Sequence, residues 1–142
     1  MANSVVVHSG WDDLGKLILR LTVALLIVFH GIAKVKNGIG WMAGPLSTHH
    51  LPAFVGYGVY VAEIVAPILL VLGILARPAA LVIAFDMFMA MVLVVRGRVF
   101  QISPQSGGLG GELELFYLFG ALAVFFLGSG RLSLSKGQGR WD

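Results

Sequence analysis

The stretch LGKLILRLTVALLIVFHGIA, Leu14–Ala33, holds twelve Leu, Ile, Val or Phe residues and two full charges, Lys16 and Arg20. Twenty residues of helix rise about 30 Å, the thickness of a bilayer's hydrocarbon core. An ionised residue at mid-span costs about 2.5–3.5 kcal/mol on insertion scales, and each large aliphatic offsets about 0.3–0.6 kcal/mol of that. The twelve together outweigh one such charge, so the stretch reads as a transmembrane helix. Three more apolar segments follow, Ala53–Leu75, Arg77–Val95 and Glu112–Gly128, of 17 to 23 residues each. Gly38, Gly40, Gly44, Pro45 and Pro52 break the chain after the first, and Ala76-Arg77-Pro78 makes a tight second break. Pro104 and a run of glycines mark the third. Pro78 sits where a first-turn proline is tolerated, so the third helix is expected to begin there.

Composition supports that reading. Of 142 residues, 58% are apolar and 12% charged, with a mean hydropathy of +0.90. A soluble domain carries about 25% charged residues, so this chain has too few charges to cover a water-facing surface. The expected fold is an all-α integral membrane protein, a four-transmembrane-helix antiparallel bundle. It forms one membrane domain with short polar N- and C-terminal tails and no room for a separate soluble catalytic domain. With no cysteine, disulfides, thiol redox pairs and thiolate metal sites are excluded. Ten Lys/Arg against seven Asp/Glu are spread along the chain, and no basic run points to nucleic acid.

Arg20 followed by the uncharged Leu21–Phe29, with Gly31 and Ala33 beyond, mimics a signal peptide and cleavage site. Asp12 and Asp13 in the preceding region, and an apolar stretch that starts ahead of Arg20, favour a retained span. Four spans put both termini on one side, with Lys16, Arg77, Arg131, Lys136 and Arg140. Lys34, Lys36, Arg96 and Arg98 fall on the other. The positive-inside rule then leans, by a thin margin, towards cytoplasmic termini.

Charges within the spans carry the functional information. Arg20, Glu63 and Asp86 should face protein rather than lipid. At 100° per residue, Lys16, Arg20, Ile27, His30 and Lys34 share a stripe about 80° wide. Gly56, Tyr60, Glu63 and Pro67 share a face of the second span, with Gly58, Ala62 and Ala66 as a small-residue series beside it. Pro67 lacks an N–H, so the helix is expected to kink and free the carbonyl of Glu63 near the midplane. Depth reckoning places Asp86 and Arg20 at similar levels, and His30 with Glu112 and Glu114 towards the other end. Arg20 is expected to be compensated by Glu63 or Asp86, a pair that would also fix helix register without any chemistry. His30 is more often a hydrogen-bonded interior residue than a ligand. The adjacent His49-His50 lack a partner at helical spacing, so no metal site is expected. Glu112 and Glu114 open a helix whose N-terminus favours anions in any case. Met87, Met89 and Met91 read as packing, Trp11 and Trp41 as interfacial anchors. Gly107–Gly111 lacks the strand and the Lys-Ser/Thr ending of a phosphate loop.

Leu19-Arg20-Leu21, then His30-Gly31 and Lys34, resembles the first helix of the DoxX family of small bacterial membrane proteins. Glu63 with the aliphatic run to Gly73 and Arg77 is similar to its second helix. The last helix is similar too, where Gly111-Glu112-Leu113 leads to Tyr117 and then Gly128-Ser129-Gly130-Arg131-Leu132-Ser133-Leu134. The resemblance runs from about Leu14 to Leu134. It implies a four-helix bacterial inner-membrane protein, with Glu112 at the family's usual last-helix acid. Glu114 stands where a small apolar residue is more usual, and Pro67 replaces a common glycine. Related members are linked with quinone-dependent thiosulfate oxidation or with membrane redox-stress complexes.

Three functions follow as expectations. The first is a non-enzymatic membrane subunit that docks a redox partner protein and offers a quinone-facing pocket. The second is a subunit of a quinone-dependent oxidoreductase acting on a small sulfur compound. The third is a small-solute or proton carrier using Glu63, Asp86 and Arg20, which four short helices allow only in a homo-oligomer. Ligand- or proton-handling candidates are Arg20, His30, Tyr60, Glu63, Asp86 and Glu112. A pocket between the first, second and fourth helices would gather His30, Tyr60, Glu63 and Glu112. No cofactor is visible in the chain, and quinone is the one the resemblance implies.

Overall fold

A computed structural model of the chain describes residues 10–142; the N-terminal tail expected before Gly10 lies outside them. Helix α1 spans Gly10–Asn37. It overruns the apolar stretch at both ends because Asp12 and Asp13 sit in its first turn and Lys34 and Lys36 in its last, each complementing the helix dipole. The connector that follows is helical where the sequence reads as a broken loop. A single 3₁₀ turn, Gly40–Met42, runs into the short helix α2, Ala43–Thr48. Pro45 falls in the first turn of α2, where its missing N–H costs no hydrogen bond.

Helix α3 runs Ala53–Leu72. It starts as a 3₁₀ helix over Ala53–Tyr57 and widens to a π-helix over Val61–Val65, the five residues ahead of Ala66-Pro67. There the N–H of Ala66 bonds the carbonyl of Val61, five residues back. The widening is how the chain accommodates a proline inside a helix. The carbonyl of Glu63, which Pro67 cannot serve, backs directly onto Gly31 of α1: a Cβ on Gly31 would lie 2.5 Å from that oxygen and 2.7 Å from Cγ1 of Ile64. Gly31 is thus the point where the α1 and α3 backbones meet.

Helix α3 stops at Gly73, φ +67°, with the N–H of Ile74 on the carbonyl of Leu69 and that of Gly73 on Leu70, a glycine-capped C-terminus. Helix α4 follows at once over Ala76–Arg98. It starts two residues before Pro78 and ends beyond Val95, through a π turn over Met91–Val95 and a 3₁₀ turn over Arg96–Arg98. Helix α5 spans Glu112–Leu127. Among the described residues the strand-like pairing is a lone bridge, Ile102 with Leu109.

The helices pack antiparallel: Arg20 of α1 reaches Leu70 of α3, and Lys34, fourteen residues on, reaches back to Glu63. Val23, Ala24 and Ile27 of α1, Leu70 of α3, Ala80 and Ile83 of α4, and Ala121 and Val124 of α5 form the core. Alanines at so many core positions let the helix axes approach closely. Phe85, Phe116, Phe119 and Phe126 project outwards, each at least 60% exposed. A soluble protein rarely leaves such rings in water. Helices α1, α3 and α4 are long and apolar enough to cross a membrane, whereas α5 has 16 residues, about 24 Å of helix.

Candidate functional site

The chemistry gathers at the end of α1 far from the chain termini. Lys34, in the last turn of α1, donates a hydrogen bond from Nζ to Oε1 of Glu63 and forms an ion pair with it. Glu63 is 3% exposed and Lys34 19%. The π turn sets the carboxylate at this point, and its second oxygen, Oε2, is buried without a hydrogen-bond partner. A buried carboxylate oxygen left unpaired is costly. The Tyr60 hydroxyl donates to the main-chain oxygen of Lys34 at 3.3 Å, tying the end of α1 to α3.

Beside this pair lies a cavity of about 130 Å³. Ile27, His30 and Lys34 of α1 wall one side, Glu63 of α3 the next. Met87, Ala90 and Val94 of α4 and Leu113, Glu114 and Tyr117 of α5 complete it, with Trp41 of the connector at its edge. The His30 ring stands edge-on to Tyr117, centroids 6.0 Å apart, and its Nδ1 lies 3.2 Å from the carbonyl oxygen of Leu26. Asp86 is half-buried within electrostatic reach of Glu63 and Lys34. Apolar cavities of about 150 Å³ accommodate one benzene ring, so this space suits a single six-membered ring. Acid, base and ammonium groups stand around its wall.

Arg20 belongs to a different place, and the expected pairing with Glu63 or Asp86 is overturned. Its guanidinium is 1% exposed and donates to the carbonyls of Leu70 (2.6 Å), Val71 (3.2 Å) and Leu132 (2.8 Å). It therefore caps the negative end of the α3 dipole and pins the C-terminal segment against it. Fourteen residues of helix, about 21 Å, separate it from Lys34, too far for Glu63 to serve it. The depth reckoning that set Asp86 level with Arg20 is corrected by the same facts, since Asp86 neighbours the Lys34–Glu63 pair.

Glu112 also stands apart. It is exposed, and its Oε2 accepts from the N–H of Leu109 in the preceding loop. Glu114, two residues on and so about 200° around the helix, takes the cavity position instead. Tyr60 supports Lys34 from outside the cavity. Of the residues expected together, the structure joins His30 and Glu63. Lys34, Glu114, Tyr117 and Trp41 complete the site without having been singled out for it. Lys34 carried a usable signal, standing one turn beyond His30 on the same stripe, and Glu114 shared the depth of His30; Trp41 carried none.

An all-helical chain with three helices apolar enough to cross a bilayer, and ionisable groups around an internal cavity, is a multi-pass membrane protein. The DoxX family model matches residues 15–96. A protein of Haemophilus influenzae described as uncharacterized is 35% identical over 119 residues, covering 83% of this chain and 86% of that one. No solved structure matches. The chain belongs to the DoxX family.

Proposed function

We propose that the chain is a non-enzymatic subunit of a membrane redox system, holding the head of a quinone in the cavity beside Glu63. All four long helices cross the bacterial inner membrane in this reading, with α5 shortened by the glycines at both of its ends and the termini cytoplasmic. The observation that carries it is the Glu63 carboxylate, 3% exposed and paired with Lys34 through one oxygen, in a residue that lines a ring-sized cavity. Lys34 Nζ donates, the Glu63 carboxylate accepts, and His30 offers a ring nitrogen as donor or acceptor. A ligand with both a carbonyl and a hydroxyl form of its ring oxygens meets its needs from these three groups. Quinone supplies the two-electron, two-proton chemistry when bound; the chain's own groups bind the ring and hold or move protons. The described residues supply acid–base groups, so electrons enter and leave through a partner protein, for which oxidation of a small sulfur compound is one fitting reaction.

The test is binding of a short-chain benzoquinone to purified protein, read by quenching of Trp41 fluorescence against a Trp41→Phe control. Losing a hydrogen bond to a charged group costs about 1.5–3 kcal/mol, so Glu63→Gln should weaken binding about tenfold or more. His30→Ala, which opens the cavity wall, should also weaken it. Unchanged binding in both folded variants, or no binding by the parent, would sink the quinone reading.

A further inference from the structure

At the opposite end of the molecule, where α1 and α4 begin and α5 ends, four cationic side chains surround a cleft of about 340 Å³: Lys16, Arg77, Arg131 and Lys136. Two acids share it, Asp13 and Asp142, and the protein itself satisfies both. Asp13 accepts from the Arg131 N–H at 3.0 Å and faces its guanidinium at 3.7 Å. Asp142 accepts from the N–H groups of Leu75 at 2.8 Å and Gly139 at 3.0 Å. Among the described residues no ion pair engages Lys16, Arg77 or Lys136. Four cations thus face two carboxylates around one cleft, an excess of positive charge at the positive end of the α4 dipole.

The positions of these groups are built rather than incidental. The chain crosses Lys16 at Gly130, φ +71°, where a Cβ would lie 3.3 Å from the lysine Cδ. The glycine thus lets the C-terminal segment close over the lysine stem. Arg77 is fixed by a 3.0 Å bond from Nε to the main-chain oxygen of Asp142, which leaves its terminal nitrogens free to face an anion. Leu127 forms the apolar edge of the cleft. Beside it Phe126 is 72% exposed, at the end of a helix whose outer face meets lipid.

We infer that this cleft binds a phosphate group, with the phosphodiester of an anionic phospholipid as the source its setting favours. Ammonium and guanidinium donors match phosphate oxygens, and the adjoining apolar edge leads to where acyl chains lie. A soluble phosphate offers the same chemistry without the chains. The site is some 20 Å or more from the cavity beside Glu63 along α1 and stands independently of the quinone reading.

The test uses the delipidated full chain in a neutral detergent, with thermal unfolding followed against added phosphatidylglycerol, phosphatidylcholine or inorganic phosphate. Phosphatidylglycerol should raise the midpoint and phosphatidylcholine should not. The double variant Lys16→Gln/Lys136→Gln should bind phosphatidylglycerol about 30-fold more weakly, at roughly fivefold per basic residue. Neither substitution breaks an ion pair, and Lys136→Gln alone, at an exposed position, gives a second arm with about a fivefold loss. A shift with inorganic phosphate that the variants lose would support the site and assign it to a soluble ligand. Equal response to both lipids with none to phosphate, or variants that respond as the parent does, would overturn the inference.

Discussion

Arg20 donates to the main-chain oxygen of Leu70 at 2.6 Å, so the most deeply buried cation described in this protein is met by carbonyls and not by an acid. The arrangement uses a property of helix ends: the last four carbonyls of α3 have no partner within the helix. A forked guanidinium satisfies several acceptors at once, which an ammonium does less well. Because Arg20 also holds Leu132, it ties three parts of the chain together.

Arg20→Leu should therefore cost about 3 kcal/mol or more, since the carbonyls of Val71 and Leu132 lose their donor, that of Leu70 keeps only the Gly73 N–H, and each unsatisfied group costs about 1–3 kcal/mol. Arg20→Lys should recover part of the loss. Adding Glu63→Gln or Asp86→Asn should restore nothing, and thermal unfolding in detergent measures all of these. Rescue by either acid neutralisation would show that a carboxylate, after all, compensates the guanidinium.

The Lys34–Glu63 pair should behave in the opposite way. Removing one partner of a buried pair costs about 3–5 kcal/mol, and partial exposure of Lys34 sets Lys34→Met near the lower end. Lys34→Met combined with Glu63→Leu should recover most of that cost, because neither member is then left alone. A double-mutant cycle on unfolding midpoints provides the measurement. Strict additivity of the two single effects would contradict the pairing.

Two glycines on one face-to-face comparison test the close approach of α1 to α3. Gly31→Ala puts a methyl against the Glu63 carbonyl and Ile64 and should destabilise by about 1–3 kcal/mol. Gly15→Ala, on the same helix with open space around it, should instead stabilise by roughly 0.5–1 kcal/mol through lower chain entropy. Melting of the two variants side by side checks the contrast. Equal effects would mean that helix propensity alone governs both positions.

Sidedness of labelling tests whether α5 crosses the membrane. The chain has no cysteine, so single substitutions report cleanly. Ser47→Cys and Ser106→Cys should react with an impermeant maleimide from one side of the membrane, and Gln138→Cys from the other. Labelling of positions 106 and 138 from the same side would leave α5 as a surface helix and remove the four-span topology.

What the sequence by itself determined was everything that depends on bulk hydrophobicity and local periodicity. Twelve large aliphatics between Leu14 and Ala33 outweigh Arg20, so α1 had to be a membrane helix, and the same arithmetic made α3 and α4 helical. The shared stripe of His30 and Lys34, the burial of Glu63, and family membership through Arg20, His30-Gly31 and Glu63 were legible for the same reason: helical spacing is set by the chain alone. Partner choice was not. Side-chain pattern shows cations and acids but is blind to main-chain acceptors, so the carbonyls of Leu70 and Leu132 were invisible as partners for Arg20. The π turn ahead of Pro67 and the loop bond that draws Glu112 away depend on hydrogen bonds between segments. Only the packed tertiary structure decides between Glu112 and Glu114, or between an acid and a helix end, because those choices turn on rotations of about 100° per residue about axes the sequence does not place.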